Sequence, residues 1–200
     1  MDPRAVPLRR RDLAPEPLAQ FRRWLEEAGP LHRAADAMAL ATATPDGRPS
    51  VRMVLMKQAD EAGIVFFTHT TSRKGEEVTA NPRAALLFHW DALGRQVRVE
   101  GAVHPVSDTD ADAYWDTRPV GARLAALASP QSRPVASREA LEAGVEELAA
   151  AGEPRRPPTW GGFRLVPDAW EFWQHRENRL HDRLLYRLDG ASWTVERLGP

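Results

Sequence analysis

The sequence predicts a mainly β fold with flanking helices, an α+β protein whose strands run antiparallel as a barrel or sandwich. Three observations lead there. Apolar residues alternate with a period of two over several short runs. The turn signals Pro45-Asp46-Gly47, Asp60–Gly63, Asp91–Gly94 and Asp189-Gly190 separate such runs by a few residues, enough for a hairpin and too few for a parallel crossover. The longer helix-period stretches lie apart from the strands, after Pro17 and between residues 107 and 151. A chain of 200 residues suits one domain, so residues 1–200 are expected to form one, with residues 1–16 as a basic N-terminal arm.

Within that arm Leu8-Arg9-Arg10-Arg11-Asp12-Leu13 is the one dense block, and it reads as a flexible arm or as a solvated run of charge. Pro17 opens a helix with a Leu18, Phe21, Leu25, Ala28 stripe, which Gly29-Pro30 ends. Ala37–Thr44 and Ser50–Lys57 form a hairpin. In its second strand Arg52, Val54 and Met56 share one face, and Val51, Met53, Leu55 and Lys57 the other. Arg52 and Lys57 either frame a buried anionic ligand or carry strand-end charge into solvent. Ile64–Thr68 is the next strand. Ser72 then caps a helix that Asn81-Pro82 stops. Arg73 and Lys74 sit in its first turn, where the helix dipole disfavours cations, and a phosphate bound to that turn would account for them.

Ala84–Trp90 and Gln96–Val106 make a further hairpin. Ser107-Asp108-Thr109-Asp110 resembles a capping box and starts a helix to about Thr117. Arg118-Pro119 breaks it, and a second helical stretch runs to about Ala128. Ser137–Ala151 is amphipathic, with Leu141, Val145 and Leu148 on one face. The remainder alternates again as the strands Gly162–Pro167, Ala169–Gln174, Arg183–Leu188 and Ser192–Leu198.

Composition narrows the chemistry. A formal net charge of -1 gives no global pull toward nucleic acid or an anionic membrane, and no apolar run is long enough to span a bilayer, so neither partner is expected. No signal peptide is visible, and the absence of cysteine excludes disulfides and thiolate chemistry; a cytoplasmic address follows by default. The six histidines show no metal-ligand spacing, so no metal site is expected. Rossmann, P-loop and nucleophile-elbow motifs are missing. What remains is concentrated basic residues. Between Phe172 and Tyr186, Arg179, His181 and Arg183 fall at i, i+2 and i+4, so an extended backbone would place them on one face; the plainer alternative is a solvated charged hairpin. The cations group as Arg73 and Lys74 with Arg52, and Arg118 with Arg179 and His181. Such a pair of clusters suits a phosphorylated cofactor and a second anionic ligand, with the redox chemistry left to the cofactor.

These residues also resemble a known family. Arg52–Lys57, Ser72-Arg73-Lys74, Arg95-Gln96-Val97, Gln131-Ser132, Glu171-Phe172-Trp173-Gln174 and Arg179-Leu180-His181-Asp182-Arg183 are similar, in order and spacing, to the pyridoxine/pyridoxamine 5′-phosphate oxidase family. The resemblance runs over essentially the whole chain. It implies an FMN-binding split β-barrel working as a homodimer, with the flavin between subunits. Carried over by position, FMN would be held by Arg52, Met53, Val54, Leu55, Met56 and Lys57, with Phe67 and Thr68 beside it. Arg73 and Lys74 would grip its phosphate, and Gln96, Gln131, Ser132, Trp173 and Arg183 would complete the site. The phosphate of a pyridine substrate would meet Lys57, Tyr114 and Arg118, with Arg179 and His181 beside the ring as the catalytic pair. Hydride would pass to the flavin, and O2 would take the electrons as hydrogen peroxide.

The chain departs from the family pattern in places. Ala122 stands where a phosphate-binding serine is usual, Ala125 and Leu127 replace glycine and tryptophan, His175 replaces glycine, and the family's extra N-terminal arm is mostly absent. One lost hydroxyl bond to a charged group is worth about 1.5–3 kcal/mol, roughly ten- to a hundredfold in affinity. Two other readings therefore stand beside the vitamin B6 oxidase. One is an oxidase of phenazine biosynthesis with the same fold and cofactor, which Ala122 suits. The other is a non-catalytic flavin- or tetrapyrrole-binding protein, which would have no use for the second anion cluster.

Overall fold

The computed structural model describes residues 6–200. In chain order the elements are α1 (Pro17–Ala28), β1 (Ala37–Ala43), β2 (Pro49–Leu55), β3 (Gln58–Asp60), β4 (Gly63–His69), α2 (Arg73–Ala80), β5 (Arg83–Trp90) and β6 (Arg95–Pro105). Then follow α3 (Asp108–Thr117), α4 (Val120–Ala128), α5 (Arg138–Ala150), β7 (Trp160–Gln174), β8 (Asp182–Asp189) and β9 (Ser192–Arg197). The strands form one antiparallel sheet in the order β2-β1-β5-β6-β7-β4-β3, with β8 and β9 continuing from β7. The sheet curls without closing, as a split barrel does. Serine caps start three helices, at Ser72 and Ser107 as expected and also at Ser137: they accept from the backbone N–H of Gly75, Asp110 and Ala140.

The core sits between the sheet and α1. Phe21 of α1 lies 4.9 Å from Phe88 and 5.4 Å from Trp170, and Trp24 meets Phe172 edge-on at 5.3 Å. The alternation in β2 is as expected, with Val51, Met53 and Leu55 turned to solvent and Arg52 and Val54 turned inward. No helix is long and apolar enough to cross a membrane among the described residues.

The largest departure from the sequence reading is β7. The runs Gly162–Pro167 and Ala169–Gln174 are one strand of 15 residues, not two. Pro167 has no N–H to give to a ladder, and it falls where the neighbour changes. Residues 160–165 of β7 pair with β4, and residues 169–174 pair with β8. β6 runs along the other side throughout, and its register shifts at Glu100/Gly101 to absorb the irregularity. β3 is a short strand that the sequence reading does not assign, and its last residue, Asp60, opens the turn expected at Asp60–Gly63. The basic arm also differs from a flexible arm over the residues described. Leu8 is buried, its N–H donates to Asp182 Oδ2 at 3.1 Å, and Tyr186 donates its hydroxyl to the Ala14 carbonyl at 2.6 Å.

Candidate active site

The two ends of β7 carry two polar constellations. The first is built where β4 ends and α2 begins. Gly75 permits this tight turn, because a Cβ there would lie 2.3 Å from the Thr70 carbonyl oxygen. The turn buries the Lys74 ammonium, which donates to Thr68 Oγ1 at 3.0 Å, Gln131 Oε1 at 2.7 Å and Ser72 Oγ at 3.3 Å. Its acceptors are neutral. Burial, and after it the nearby Arg52 guanidinium, lower the Lys74 pKa to about 8.

Beside Lys74, Glu77 ties two arginines together. It accepts from Arg73 Nε at 2.8 Å and Arg52 Nη2 at 3.2 Å, and from the Thr42 and Ser50 hydroxyls. Burial pushes the Glu77 carboxyl up, but bonds from Ser50, Thr42, Arg73 and Arg52 outweigh it and hold the pKa at about 2. Arg73 therefore owes its place in the first turn partly to an acid four residues on, a partner that the phosphate reading overlooked. Arg52, Arg73 and Lys74 against the single carboxylate of Glu77 still leave an excess of two positive charges.

Arg118 lies in the same constellation. Its guanidinium covers the Trp160 ring at 4.9 Å and the Trp115 ring at 5.8 Å, and its Nη2 donates to the Ala122 carbonyl at 2.9 Å. Tyr114 stacks on Phe67 at 4.1 Å and 19°, and Phe67 on Trp160 at 5.5 Å and 10°. Gly162 makes room for that stack, since a Cβ there would lie 2.7 Å from the Phe67 ring. His69, which the sequence reading did not single out, is 8% exposed and has no partner for Nε2. Arg118 Nε is likewise buried without a partner. Burial first, then Lys74 and Arg118, keep His69 below the ordinary histidine value, against the Ala126 carbonyl, which raises it. A buried ammonium with neutral partners, two unpartnered buried nitrogens and a stacked aromatic wall fit an anion attached to a flat ring.

The second constellation lies at the far end of β7. Trp173 pairs with Gln96 across β6 and with Arg183 across β8. His181 rests on the Trp173 ring at 4.6 Å, and His175 lies 5.3 Å from His181. These rings, with Arg176 and Arg179, line a cleft of about 710 Å³. Arg183 is clamped by Glu171 through bonds of 2.7 and 3.1 Å, which raise its pKa.

Several expectations are corrected here. Arg179, His181 and Arg183 do not share a strand face, because Glu177–Arg179 is a 3-10 turn and β8 begins only at Asp182. Asn178 and Arg179 both have positive φ, 55° and 63°, which ends the alternation that the spacing suggested. Arg118 groups with Lys74 and His69 within the chain, not with Arg179 and His181. Met56 is buried and packs in the core. Met53 and Leu55 are exposed, and Lys57 pairs with Asp36 at 3.8 Å. Ser132 also takes a positive φ of 69°, in the loop that delivers Gln131.

Comparison with known proteins places this architecture. The family model described as pyridoxamine 5′-phosphate oxidase matches residues 25–151, and the model of the pyridoxine 5′-phosphate oxidase C-terminal dimerisation region matches residues 160–200. A pyridoxine/pyridoxamine 5′-phosphate oxidase of Cupriavidus taiwanensis is 55% identical over 193 residues, covering 94% of this chain and 91% of its own. The protein of the same description from Rubrobacter xylanophilus is 55% identical over 191 residues, covering 93% and 88%. Among solved structures, PhzG from Burkholderia lata 383, in complex with tetrahydrophenazine-1-carboxylic acid, superposes with a TM-score of 0.92 at 38% identity, covering 98% of this chain and 99% of that one. The chain belongs to the pyridoxamine 5′-phosphate oxidase family of FMN-dependent oxidoreductases.

Proposed function

We propose that this protein oxidises pyridoxamine 5′-phosphate or pyridoxine 5′-phosphate to pyridoxal 5′-phosphate in the cytoplasm, using FMN and reducing O2 to hydrogen peroxide. The observation that carries the reading is the buried Lys74 with neutral acceptors beside Arg118 and the Phe67–Tyr114–Trp160 stack. Lys74 and Arg73, with Arg52 behind them, suit the FMN phosphate, and Gln131 and Thr68 fix the ammonium that meets it. FMN, when bound, supplies the hydride acceptor and the route of electrons to O2. Arg118 is presented by Trp160 and Trp115 as a rigid cation, which with Tyr114 and Lys57 suits the substrate phosphate. Arg179 and His181 would then orient the pyridine ring in the open cleft.

The same reading calls for a homodimer. From Gly161 to Trp173 is roughly 40 Å of strand contour at 3.3 Å per residue, so the two ends of β7 in one chain do not surround one small ligand. Two copies related by a twofold axis would bring the Lys74 end of one to the Trp173 end of the other. The match to a dimerisation region over residues 160–200 supports this, and so does the exposed apolar face Val51, Met53, Leu55 on the edge strand β2.

One observation favours a second substrate. Residue 122 brings no hydroxyl to Arg118, and the similar PhzG structure holds a tetrahydrophenazine carboxylic acid. The two readings separate in an anaerobic cuvette with FMN-loaded protein. Bleaching of the flavin absorbance by pyridoxine 5′-phosphate and not by a reduced phenazine carboxylate is expected. Bleaching by the phenazine compound alone would replace the B6 reading with the other.

A further inference from the structure

The glycine-to-histidine departure at position 175 adds an imidazole to the cleft at the Trp173 end. Trp173, His181 and His175 form a ladder of rings, with centroids 4.6 Å apart for the first pair and 5.3 Å for the second. The backbone N–H of Arg176 donates to His181 Nδ1 at 3.1 Å. A ring nitrogen that accepts a bond from an amide must carry a lone pair, so the proton of neutral His181 sits on Nε2. Protonating Nδ1 would set two N–H groups against each other.

From these contacts we infer that His175 is a positioning residue: with the Arg176 amide it holds His181 as the neutral Nε2–H tautomer, a hydrogen-bond donor to the ligand and not a proton acceptor. Neighbouring charges agree in sign. His175, Arg176, Glu177 and Arg179 come from the same loop, and Asp182 and Arg183 from β8. The two nearest acids on β7 and β8 are engaged elsewhere. Asp182 binds Arg197 at 2.7 Å and Arg176 at 3.7 Å, and Glu171 clamps Arg183. Glu177 also lines the cleft, but the charged groups that act on His181 are His175 and Arg179, both basic. Burial, then His175, then Arg179 lower its pKa from the ordinary histidine value. The direction of the shift favours the neutral ring.

The role assigned to the donor rests on the proposed substrate position, but the tautomer and its cause do not. Histidine-labelled protein, FMN-loaded and dimeric as isolated, would be titrated by two-bond ¹H–¹⁵N spectroscopy as wild type and as His175→Gly. The backbone bond from His175 N–H to the Gly94 carbonyl is retained in that variant. Wild-type His181 should show an unprotonated Nδ1 and a midpoint below that of an ordinary histidine. In His175→Gly the midpoint should rise, while burial and Arg179 keep it below the ordinary histidine value. A proton found on Nδ1, or a midpoint that does not move, would overturn the inference. His175→Asn, which restores bulk without charge, should behave as the glycine variant does; if it matches wild type, packing and not charge sets the midpoint, and the inference also fails. Adding pyridoxal 5′-phosphate should shift the His181 Nε2 resonance. If it leaves that resonance alone while the variants behave as expected, the substrate placement falls and the imidazole pair stands.

Discussion

The two ends of β7 solve opposite problems with the same kinds of side chain. At the Trp160 end the cations are already fixed: buried Lys74 by three neutral acceptors, half-buried Arg52 and exposed Arg73 by Glu77, and half-buried Arg118 by two indole faces. Charge held rigidly in low dielectric is costly until an anion arrives, and it then binds that anion without reorganisation. At the Trp173 end the rings are stacked but open, and the segment Asn178-Arg179 occupies a backbone region that costs about 1 kcal/mol or more per residue. Arg183 is clamped there by Glu171, and Arg176 lies 3.7 Å from Asp182. The first end is a finished seat, and the second is a face. On the proposed dimeric reading, a finished seat and an open face on one chain make a complete site only when two chains meet.

Breaking that relation directly gives the largest effect. Lys74→Met damages the seat, and Arg179→Asn damages the face while keeping a residue that tolerates positive φ. Each homodimer should lose most of its turnover. When the two chains are co-expressed, half of the dimers are mixed and each mixed dimer keeps one intact site, so about a quarter of the wild-type activity should return. Activity that stays at the level of the parents would show that the ends of β7 do not serve one site, and the dimeric reading would fail.

The seat alone can be sharpened through its pH dependence. The Lys74 pKa is lowered from 10.5 to about 8, so in the FMN-free protein the folded state loses its proton before the unfolded state does. Stability should therefore rise with pH between about 8 and 10.5, where the unfolded chain still holds the proton. FMN affinity should move the other way, falling above about pH 8 as the ammonium is lost. In Lys74→Met both slopes should flatten, and FMN should bind about 10- to 100-fold more weakly at pH 7, read by quenching of flavin fluorescence. An affinity in Lys74→Met equal to wild type would move the phosphate away from α2.

How much of this comparison the sequence reveals depends on which interactions are local. The hairpins, the three serine caps and the stripe of α1 are all written within a few residues, and the fold follows them. The Arg73–Glu77 pair is local too, and its i,i+4 spacing was there to be read. The continuity of β7 was obscured because Pro167 looks like a terminator until its position between the partners β4 and β8 is known. The false face of Arg179, His181 and Arg183 came from assuming extended backbone across Asn178, a residue type that readily turns. Burial of His69 and the stacking of Arg118 on Trp160 join residues dozens of positions apart, and no local pattern encodes them. Site roles likewise follow from family resemblance and not from local pattern, and the unpartnered nitrogens of His69 and Arg118 arise from long-range packing.

The smallest expected effect refines the seat at a single atom. Arg118 spends one Nη2 bond on the Ala122 carbonyl, which places residue 122 directly against the guanidinium. Its side chain is half-buried on the first turn of α4, where a hydroxyl would stand beside the same anion as Arg118 and need not displace any packed group. Ala122→Ser should therefore lower the Michaelis constant for pyridoxine 5′-phosphate by about tenfold, one hydrogen bond to a charged group, and leave the limiting turnover unchanged. Dephosphorylated pyridoxine separates a phosphate contact from a general tightening of the site, because its constant should not respond to the substitution. Equal gains for both compounds would place the serine hydroxyl on the ring side, and no gain for either would put the substrate phosphate somewhere other than Arg118.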